Sequence, residues 1–506
     1  MSSVDAIVDI DRFSEWIGLH TNVSKTCLTN QLNEWNNTKL VELSEKAKRF
    51  KKAFEKDPTF FPECDKIFKE CAEIEGKFNT LIENQSKLEN ESYNELLFLN
   101  PYMIPLNFLP FVLSIWACIR IYILPGISLM IPILTIIAPY LILKFFFTIP
   151  ITLENYITIL HSMVTGTFQD KIDPINGAII TASFNPTALL KQFGIVIVTC
   201  LQGIIQPYWT YKHLKSIDTI IEENGTIILR YKELYNKLSN LLLKNGFTFF
   251  KCPLPHFMTN RDAVARIIIE PVYFRLALKY MGSLEVLMKI VHNKDIHPVR
   301  WVKSKTPIFS ITDTYDFQVP EKVRKPMSAH FSKKRHALLT GPNKGGKSTV
   351  LRALSMSVLL AHTYGCSIGH TVSTPFRKMY VCLKPDDLPG SKSRFEREIE
   401  FTANSLKESG PIFILIDELY HSTNPPDALR SCEIYCEKLW NKSDRISIIS
   451  THLFDLVEKA DDSIQRLCCP ATVENGKITF MYYLREGICK VSSVDTLLQL
   501  NGLMCE

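Results

Sequence analysis

The stretch that decides the fold is Leu339-Thr340-Gly341-Pro342-Asn343-Lys344-Gly345-Gly346-Lys347-Ser348-Thr349. It fits the phosphate-loop pattern G-x-x-x-x-G-K-[ST] without a gap. The preceding residues 336–340 read as a short buried strand, and Val350 begins a helical pattern. Because a glycine-rich turn between a strand and a helix points backbone N–H groups at an anion, the sequence predicts a nucleoside triphosphate site.

The residues of this loop have separate predicted roles. Lys347 reaches the β- and γ-phosphates, and the Ser348 hydroxyl is a ligand for Mg²⁺. The predicted cofactors are therefore ATP and Mg²⁺, and the alternative is a chance glycine-rich turn. The phosphates are predicted to lie against Gly341, Pro342, Asn343, Lys344, Gly345, Gly346, Lys347, Ser348 and Thr349.

A second apolar run ends in two carboxylates. It reads Pro411-Ile412-Phe413-Ile414-Leu415-Ile416-Asp417-Glu418, the pattern of a buried parallel strand with acids at its carboxyl end. Asp417 is predicted to hold Mg²⁺, and Glu418 to orient or activate the water that attacks the γ-phosphate. The sequence thus predicts Glu418 and Lys347 as catalytic residues.

A third predicted strand, residues 446–450, is followed by Thr451-His452. A histidine at a strand end beside the site can sense the γ-phosphate, so His452 is the third predicted catalytic residue. The alternative is a hydrogen-bonded structural histidine.

Composition places few limits on function. The 506 residues suffice for about three domains, and 46% hydrophobic residues exclude a disordered chain. A net charge of +6 does not by itself indicate nucleic acid. Fourteen cysteines show no zinc-finger spacing, which favours reduced thiols inside a cell. The first twelve residues contain no apolar run, so we expect no cleavable secretion signal.

Charge almost disappears in a stretch that precedes these motifs. Leu96–Ile119 has 24 residues without a charge and Ile121–Leu143 another 23, separated by Arg120. A helix needs about 20 apolar residues to cross a bilayer, and Pro125-Gly126 lies where two such helices would turn. We predict a two-helix membrane hairpin over residues 96–150, with both flanks on the same side. The alternatives are a pair of buried core helices and a re-entrant segment broken by prolines.

Two helical predictions follow from the apolar spacing beyond the hairpin. Phe193–Ile205 is too short to span a membrane alone and is predicted to be a core helix. Thr210–Asn245 is long, charged and amphipathic, which predicts two helices joined by a turn at Asn224-Gly225.

The chain is predicted to have four segments. They are a helical N-terminal region (1–95), the membrane hairpin (96–150), a helical, lever-like core (151–305) and an ATPase domain (306–506). The fold class is an α/β P-loop NTPase domain preceded by a mostly α-helical region with a transmembrane hairpin.

Four motifs of the C-terminal segment resemble those of one ATPase family. The stretch 341–349 resembles GPNMGGKST, with Lys344 in place of methionine, and Asp386–Phe395 resembles DDLAxGxSTF. Asp417–Asp427 resembles DEIGRGTSxxDG, and Ser450–Leu456 resembles ATHYFEL. Over about residues 305 to 500 the chain is therefore similar to the ATPase domain of the MutS family of DNA mismatch-repair proteins, an ABC-like P-loop fold.

The resemblance implies a composite site in a homodimer. Ser393 would reach across the dimer interface to the partner's nucleotide, while Asn343 and His452 would contact phosphate or water. Double-stranded DNA is the partner that the family implies, but this chain shows neither an N-terminal mismatch-recognition domain nor a Phe-x-Glu reader in a plausible setting. It also departs from the family where Tyr420-His421-Ser422 replaces the glycines and arginine of GRGT and where Arg394 replaces threonine.

The sequence thus favours a membrane-anchored, MutS-like ATPase that switches conformation with ATP and, by family analogy, clamps DNA. The alternatives are a component of an ABC-type transporter and an ATP-dependent membrane scaffold that binds no DNA. We expect an intracellular membrane protein with both soluble parts on the cytosolic side, or a cytoplasmic protein if the membrane hairpin is absent.

Overall fold

The structure is a computed structural model that describes residues 4, 7–83, 92–165, 186–383, 393–474 and 477–491. The chain divides into two compact units. Unit 1 comprises residues 1–75, 235–252 and 276–506, and unit 2 comprises residues 76–234 and 253–275. The four-segment division drawn from the sequence stays a prediction.

Helices dominate the described chain before residue 293. In chain order, the described α-helices are α1 (Ile10–Ile17), α2 (Asn22–Asn33), α3 (Leu40–Lys56), α4 (Phe60–Glu83), α5 (Pro110–Cys118), α6 (Leu124–Leu141), α7 (Leu153–Thr165), α8 (Pro186–Lys244), α9 (Asn260–Ile269), α10 (Pro271–His292), α11 (Lys347–Tyr364), α12 (Arg394–Lys407), α13 (Pro425–Trp440) and α14 (Phe454–Lys459).

The described strands all follow α10. They are β1 (Ile296–Pro298), β2 (Arg300–Trp301), β3 (Phe309–Thr314), β4 (Met327–Phe331), β5 (His336–Thr340), β6 (Cys366–Ile368), β7 (His370–Ser373), β8 (Lys378–Cys382), β9 (Ile412–Ile416), β10 (Arg445–Ser450), β11 (Ile464–Cys468), β12 (Ala471–Glu474), β13 (Lys477–Phe480) and β14 (Arg485–Glu486).

The main sheet of unit 1 has the strand order β14-β11-β5-β10-β9-β8. All neighbours pair in parallel except β14, which is antiparallel to β11. Every residue of β5, β9 and β10 is buried, which confirms the three strands predicted from their apolar runs. Because these strands are parallel, their carboxyl ends meet at one edge of the sheet. A second sheet in unit 1 has the order β2-β7-β3-β4.

The N-terminal helices pack against α11, which follows the glycine-rich loop. The Ser44 hydroxyl donates a 2.8 Å hydrogen bond to the Gly365 carbonyl at the end of α11. A Cβ atom at Gly365 would lie 2.4 Å from the Ser44 backbone nitrogen, so glycine is required at this contact. The ring of Trp35 stacks on His362, with the ring centroids 4.0 Å apart. The first helices of the chain therefore belong to the same unit as the sheet.

A continuous helix runs from Pro110 to Phe146 in unit 2. It comprises α5, a π-helical turn over Ile119–Ile123, α6 and a second π-helical turn over Ile142–Phe146. The turn predicted at Pro125-Gly126 is therefore wrong. Leu124 N–H bonds to the Ile119 carbonyl, five residues back, so the π turn accommodates a proline that has no N–H of its own.

The helix α8 is 59 residues long, and the turn predicted at Asn224-Gly225 is wrong. Packing explains why a glycine stands there, because a Cβ atom at Gly225 would lie 2.4 Å from the Asn260 Cα atom. Tertiary contact thus outweighs the low helix propensity of glycine. The core helix predicted over 193–205 is also wrong for its described side chains, since Ile204 and Ile205 are 53% and 47% exposed.

One helix of the described chain, Pro110–Leu134, is long and apolar enough to cross a membrane by its length and composition. Only 11% of its most apolar window is buried by the protein. Among its exposed side chains are Phe111, Ile115, Ile127 and Ile131.

Candidate functional site

The glycine-rich loop connects β5 to α11, the strand and helix that the sequence predicts on either side of it. Gly341 has φ = 150° and Gly346, at the N terminus of α11, has φ = 101°. A Cβ atom at Gly341 would also lie 2.8 Å from the Cys469 carbonyl oxygen. These two positions require glycine, so the loop takes a path that presents its backbone to the helix N terminus.

Lys347 is buried at the first turn of α11. Its ammonium donates to the carbonyl oxygens of Gly341 at 2.9 Å and Pro342 at 3.4 Å. The side chain therefore curls back over its own loop, where a phosphate-binding lysine is needed. Burial lowers the pKa of Lys347, an effect that the nearby Glu418 and Asp417 carboxylates oppose.

The Asp417 carboxylate is held by two hydroxyl groups at the end of β9. Ser348 donates to Asp417 Oδ2 at 2.5 Å, and Ser450 donates to Asp417 Oδ1 at 2.5 Å. Ser450 also accepts a 2.8 Å hydrogen bond from the Glu418 backbone N–H. The structure thus brings together the predicted metal ligands, Ser348 and Asp417, and adds Ser450 as their support.

Sequence reasoning did not identify Ser450 as a site residue. Its position gave a usable signal, because it is the last residue of β10 and lies directly before Thr451-His452. Polar residues at the carboxyl ends of adjacent parallel strands meet at one edge.

His452 lies between the two other predicted catalytic residues. Its Nε2 atom is 3.0 Å from Lys347 Nζ and 3.2 Å from Glu418 Oε1. One nitrogen cannot accept from the lysine and donate to the carboxylate in the same tautomer, so the tautomer of His452 selects its partner. The hydrogen bond with His452 is the main cause that lowers the pKa of Glu418. All three predicted catalytic residues therefore lie in one cluster.

The segment after Glu418 adopts an unusual backbone. Glu418 and Tyr420 have φ values of 54° and 56°, a left-handed conformation that glycine adopts more easily. Tyr420 occupies a position where the resembling family motif has glycine. Here the tyrosine is buried, and its hydroxyl lies 2.6 Å from Thr402 Oγ1 on α12. Ser422 likewise donates to Glu398 Oε2 at 3.1 Å, so two side chains of this segment bind α12.

Ser393 is the exposed N-cap residue of α12. Its hydroxyl accepts from the Glu396 backbone N–H, and its backbone N–H donates to the Glu396 carboxylate, which completes a capping box. These hydrogen bonds stay within the first turn of α12 and do not join Ser393 to the nucleotide loop. The preceding part of its motif, Asp386–Lys392, lies outside the described residues.

The remaining predicted residues lie on the loop and at the start of α11. Asn343 and Lys344 are exposed, whereas Gly345 is buried and Thr349 is half-buried. Lys344 has φ = 65°, so this lysine, which replaces methionine of the family motif, also adopts a left-handed conformation.

The residues at this edge fit a magnesium ion. Mg²⁺ prefers oxygen ligands and commonly takes one or two from protein and the rest from phosphate and water. The Ser348 hydroxyl and the Asp417 carboxylate meet beside the phosphate loop and would supply two such oxygens. Among the described residues no group of three or more His, Cys, Asp or Glu side chains could hold a metal ion, so this part of the chain offers no closed protein cage for a metal.

Residues 337–501 match the family model of MutS domain V. The match begins within β5 and includes the glycine-rich loop, Asp417, Glu418 and His452. The resemblance of the C-terminal region to the MutS family, and specifically to its ATPase-type domain, is thereby confirmed. It indicates a MutS-like function related to mismatch repair and to nucleotide binding.

Proposed function

We propose that the chain is a membrane-anchored, MutS-like ATPase of the P-loop class, in which ATP binding and hydrolysis at a dimeric composite site drive a conformational switch. The observation that carries this proposal is the convergence of Lys347, Asp417 and Glu418 around one phosphate loop. Phosphoryl transfer requires a cation for the γ-phosphate, a metal-binding carboxylate and a residue that orients water, and these side chains supply all three.

Each residue of the cluster has one task in this mechanism. Lys347 and the loop amides bind the phosphates, and Glu418 orients the attacking water and accepts its proton. Ser450 holds the carboxyl end of β9 so that Asp417 and Glu418 point to the same place. Mg²⁺ held by Ser348 and Asp417 would neutralise charge on the β- and γ-phosphates.

His452 couples the lysine to the carboxylate. In the tautomer that carries a proton on Nε2 it donates to Glu418 and holds that carboxylate ionised, as a base requires. In the other tautomer it accepts from Lys347. Bound phosphate would attract the Lys347 ammonium away from His452 and so favour the contact between His452 and Glu418.

The dimer rests on Ser393. Ser393 is exposed and caps the N terminus of a 14-residue helix, the end of a helix that attracts phosphate, so its position suits a residue that completes the partner's site. The Tyr420 and Ser422 contacts to α12 connect this helix to the segment after Glu418. Hydrolysis in one subunit would thereby be sensed at the surface that faces the other.

The output and location of this switch are further parts of the proposal. Double-stranded DNA is the proposed partner on family grounds, and the exposed apolar residues of unit 2 favour a membrane anchor. Both soluble parts would lie on the cytosolic side of an intracellular membrane, where ATP and reduced cysteines are found.

The first test measures ATP hydrolysis by the full chain in detergent, with and without homoduplex, mismatched and branched DNA. We expect Glu418→Gln to lower turnover about 10²- to 10⁴-fold, as for loss of a general base. Glu437→Gln changes an exposed carboxylate of the same unit and should leave turnover unchanged. Equal turnover of the Glu418→Gln and parent proteins would reject the assigned catalytic role, and turnover that ignores DNA would favour the membrane scaffold.

The composite site is tested by mixing two inactive variants. Ser393→Ala removes the residue given to the partner, and Lys347→Ala removes the residue used in the chain's own site. In a mixed dimer one site regains both side chains, so the mixture should hydrolyse ATP when neither variant does so alone. A mixture that stays inactive, although the two chains co-purify, would show that Ser393 does not act across the interface.

A further inference from the structure

The apolar helix of unit 2 lies antiparallel to the first half of α8. The rings of Tyr122 and Tyr211 are 5.9 Å apart, and a Cβ atom at Gly203 would lie 2.5 Å from Pro132 Cγ. As residue numbers rise along the first helix they fall along the second. The absence of a side chain at Gly203 allows this close approach, as is common where helices pack in membranes.

Uncharged residues occupy the same stretch of both helices. Ile121–Leu143 contains 23 residues without a charge, and Gln192–Tyr211 contains 20. At 1.5 Å per residue, Arg120 and Lys144 are about 36 Å apart along the first helix. Lys191 and Lys212 are about 32 Å apart along α8. Both lengths match the hydrocarbon core of a bilayer, which is about 30 Å thick.

A charged collar marks one end of the pair. It consists of Glu95, Arg120, Lys212, His213 and Lys215. Arg120 Nη2 and His213 Nε2 lie 3.5 Å and 3.4 Å from the Glu95 carboxylate, and Lys212 lies over the ring of Trp209 at 5.4 Å. The aromatic residues next to the collar are those that membrane proteins place at the headgroup level.

The collar fixes which part of the long helix crosses the bilayer. A span over Pro110–Leu134 would bury Arg120 and its ion pair in hydrocarbon, which is unfavourable. A span over residues 121–143 leaves Arg120 and its ion pair outside the hydrocarbon.

The opposite end of the pair has its own boundary. Lys144 donates a 3.2 Å hydrogen bond to the Tyr140 hydroxyl. The three exposed phenylalanines that follow, 145–147, precede α7. Tyr156 of α7 lies against Tyr140, with ring centroids 5.3 Å apart, so the first turn of α7 lies within about one helical turn of Lys144.

We infer that unit 2 crosses the bilayer twice, through residues 121–143 and 192–211, so that the start of α7 lies on the opposite side of the membrane from the charged collar. This inference rests on the proposed membrane anchor. It replaces the short hairpin predicted from the sequence with two helices that are far apart in the chain. The lipid bilayer is the occupant of the exposed apolar surface between the charged collar and the level of Lys144.

The test places single cysteines in the full chain and synthesises it in the presence of sealed membrane vesicles. Glu154→Cys lies on α7, Glu223→Cys lies on α8 beyond the collar, and Leu129→Cys lies within the span; all three side chains are exposed in the protein. Labelling with a membrane-impermeant maleimide is measured against the parent chain, which gives the background from native cysteines. Carbonate extraction of the same samples reports membrane integration separately.

We expect Glu223→Cys to be labelled in sealed vesicles and Glu154→Cys only after detergent opens them. Leu129→Cys should stay unlabelled in intact vesicles. If carbonate does not extract the protein but Glu154→Cys and Glu223→Cys are both labelled in sealed vesicles, the double crossing is wrong and the membrane anchor is still supported. If carbonate releases the parent chain, the anchor itself is wrong and the crossing fails with it.

Discussion

Two apolar segments of this protein look alike in the sequence and differ in the structure. Strand β9, Ile412–Ile416, has five apolar residues that are at most 1% exposed. The helix Pro110–Leu134 has a similar composition, yet 11% of its most apolar window is buried. The strand is covered by neighbouring strands and by helices of its own unit, whereas many apolar side chains of the helix are exposed. An apolar run in a sequence predicts side chains that are shielded from water. Only the structure shows whether the rest of the protein provides that shield.

The largest expected effect comes from a charge in the covered segment. Ile414→Asp places an unpaired carboxylate at a fully buried position of β9, which should destabilise unit 1 by about 4 kcal/mol or more. Denaturant unfolding followed by circular dichroism measures the loss. Ile434→Asp makes the same change at a residue that is 48% exposed and should have little effect. Equal stability of the two variants would contradict the burial assigned to β9.

A charge in the uncovered segment should leave folding unchanged and act on membrane retention. Ile131→Lys, at a residue that is 51% exposed, should cost about 3 kcal/mol of insertion free energy near the bilayer centre. Carbonate extraction and the melting temperature of unit 1 are measured on the same preparation. Val272→Lys, at an exposed residue of unit 2 outside the apolar spans, is the control. If Ile131→Lys instead lowered the melting temperature of unit 1 and left membrane retention unchanged, Ile131 would be covered by protein and not by lipid.

Burial in unit 1 also disfavours the charged form of one histidine. His362 is fully buried, and this lowers its pKa from 6.5 to about 4. Its ring donates to the Asn36 carbonyl through Nδ1 and accepts from Phe376 N–H through Nε2, so the neutral form is the one that fits.

As pH falls below 6.5, the unfolded chain gains a proton that His362 in the folded chain does not. Stability should therefore fall by about 2 kcal/mol between pH 8 and pH 5 from this group. His362→Asn should remove that part of the pH dependence in denaturant titrations. The difference between the two proteins at pH 8, where neither form is charged, isolates the change in packing. Identical pH dependence would show that His362 is protonated in the folded protein.

The smallest effect is expected at the polar end of the buried sheet. Ser450→Ala removes one hydrogen bond to Asp417 and one from the Glu418 N–H. The arrangement in which these two acids are held at the end of β9 should become less stable by about 1 kcal/mol. ATP turnover should fall several-fold while nucleotide affinity changes little. Ser447→Ala, a buried serine of the same strand that bonds His336, is the matched control. A loss of affinity with unchanged turnover would contradict a role in positioning the acids.

The site was more predictable than the helices. Strand, loop and helix around Lys347 follow from local chemistry, since glycine and apolar residues have few alternatives there. The continuous helix through Pro125 could not be predicted, because it depends on a π turn, in which the Leu124 N–H bonds to the Ile119 carbonyl, directly before the proline. The helix through Gly225 depends on its contact with Asn260, which no local pattern encodes. Ser450 was missed because its role depends on the pairing of β9 and β10.

The hydrogen bond between Ser44 and Gly365 joins residues that are 321 positions apart in the chain. A ribosome that adds about 5–20 residues per second needs roughly 15–60 s to make the second partner after the first. During that interval the N-terminal helices lack the surface on which they finally pack, and every apolar helix of unit 2 is made. If unit 2 inserts into lipid during synthesis, its insertion therefore precedes the closure of unit 1.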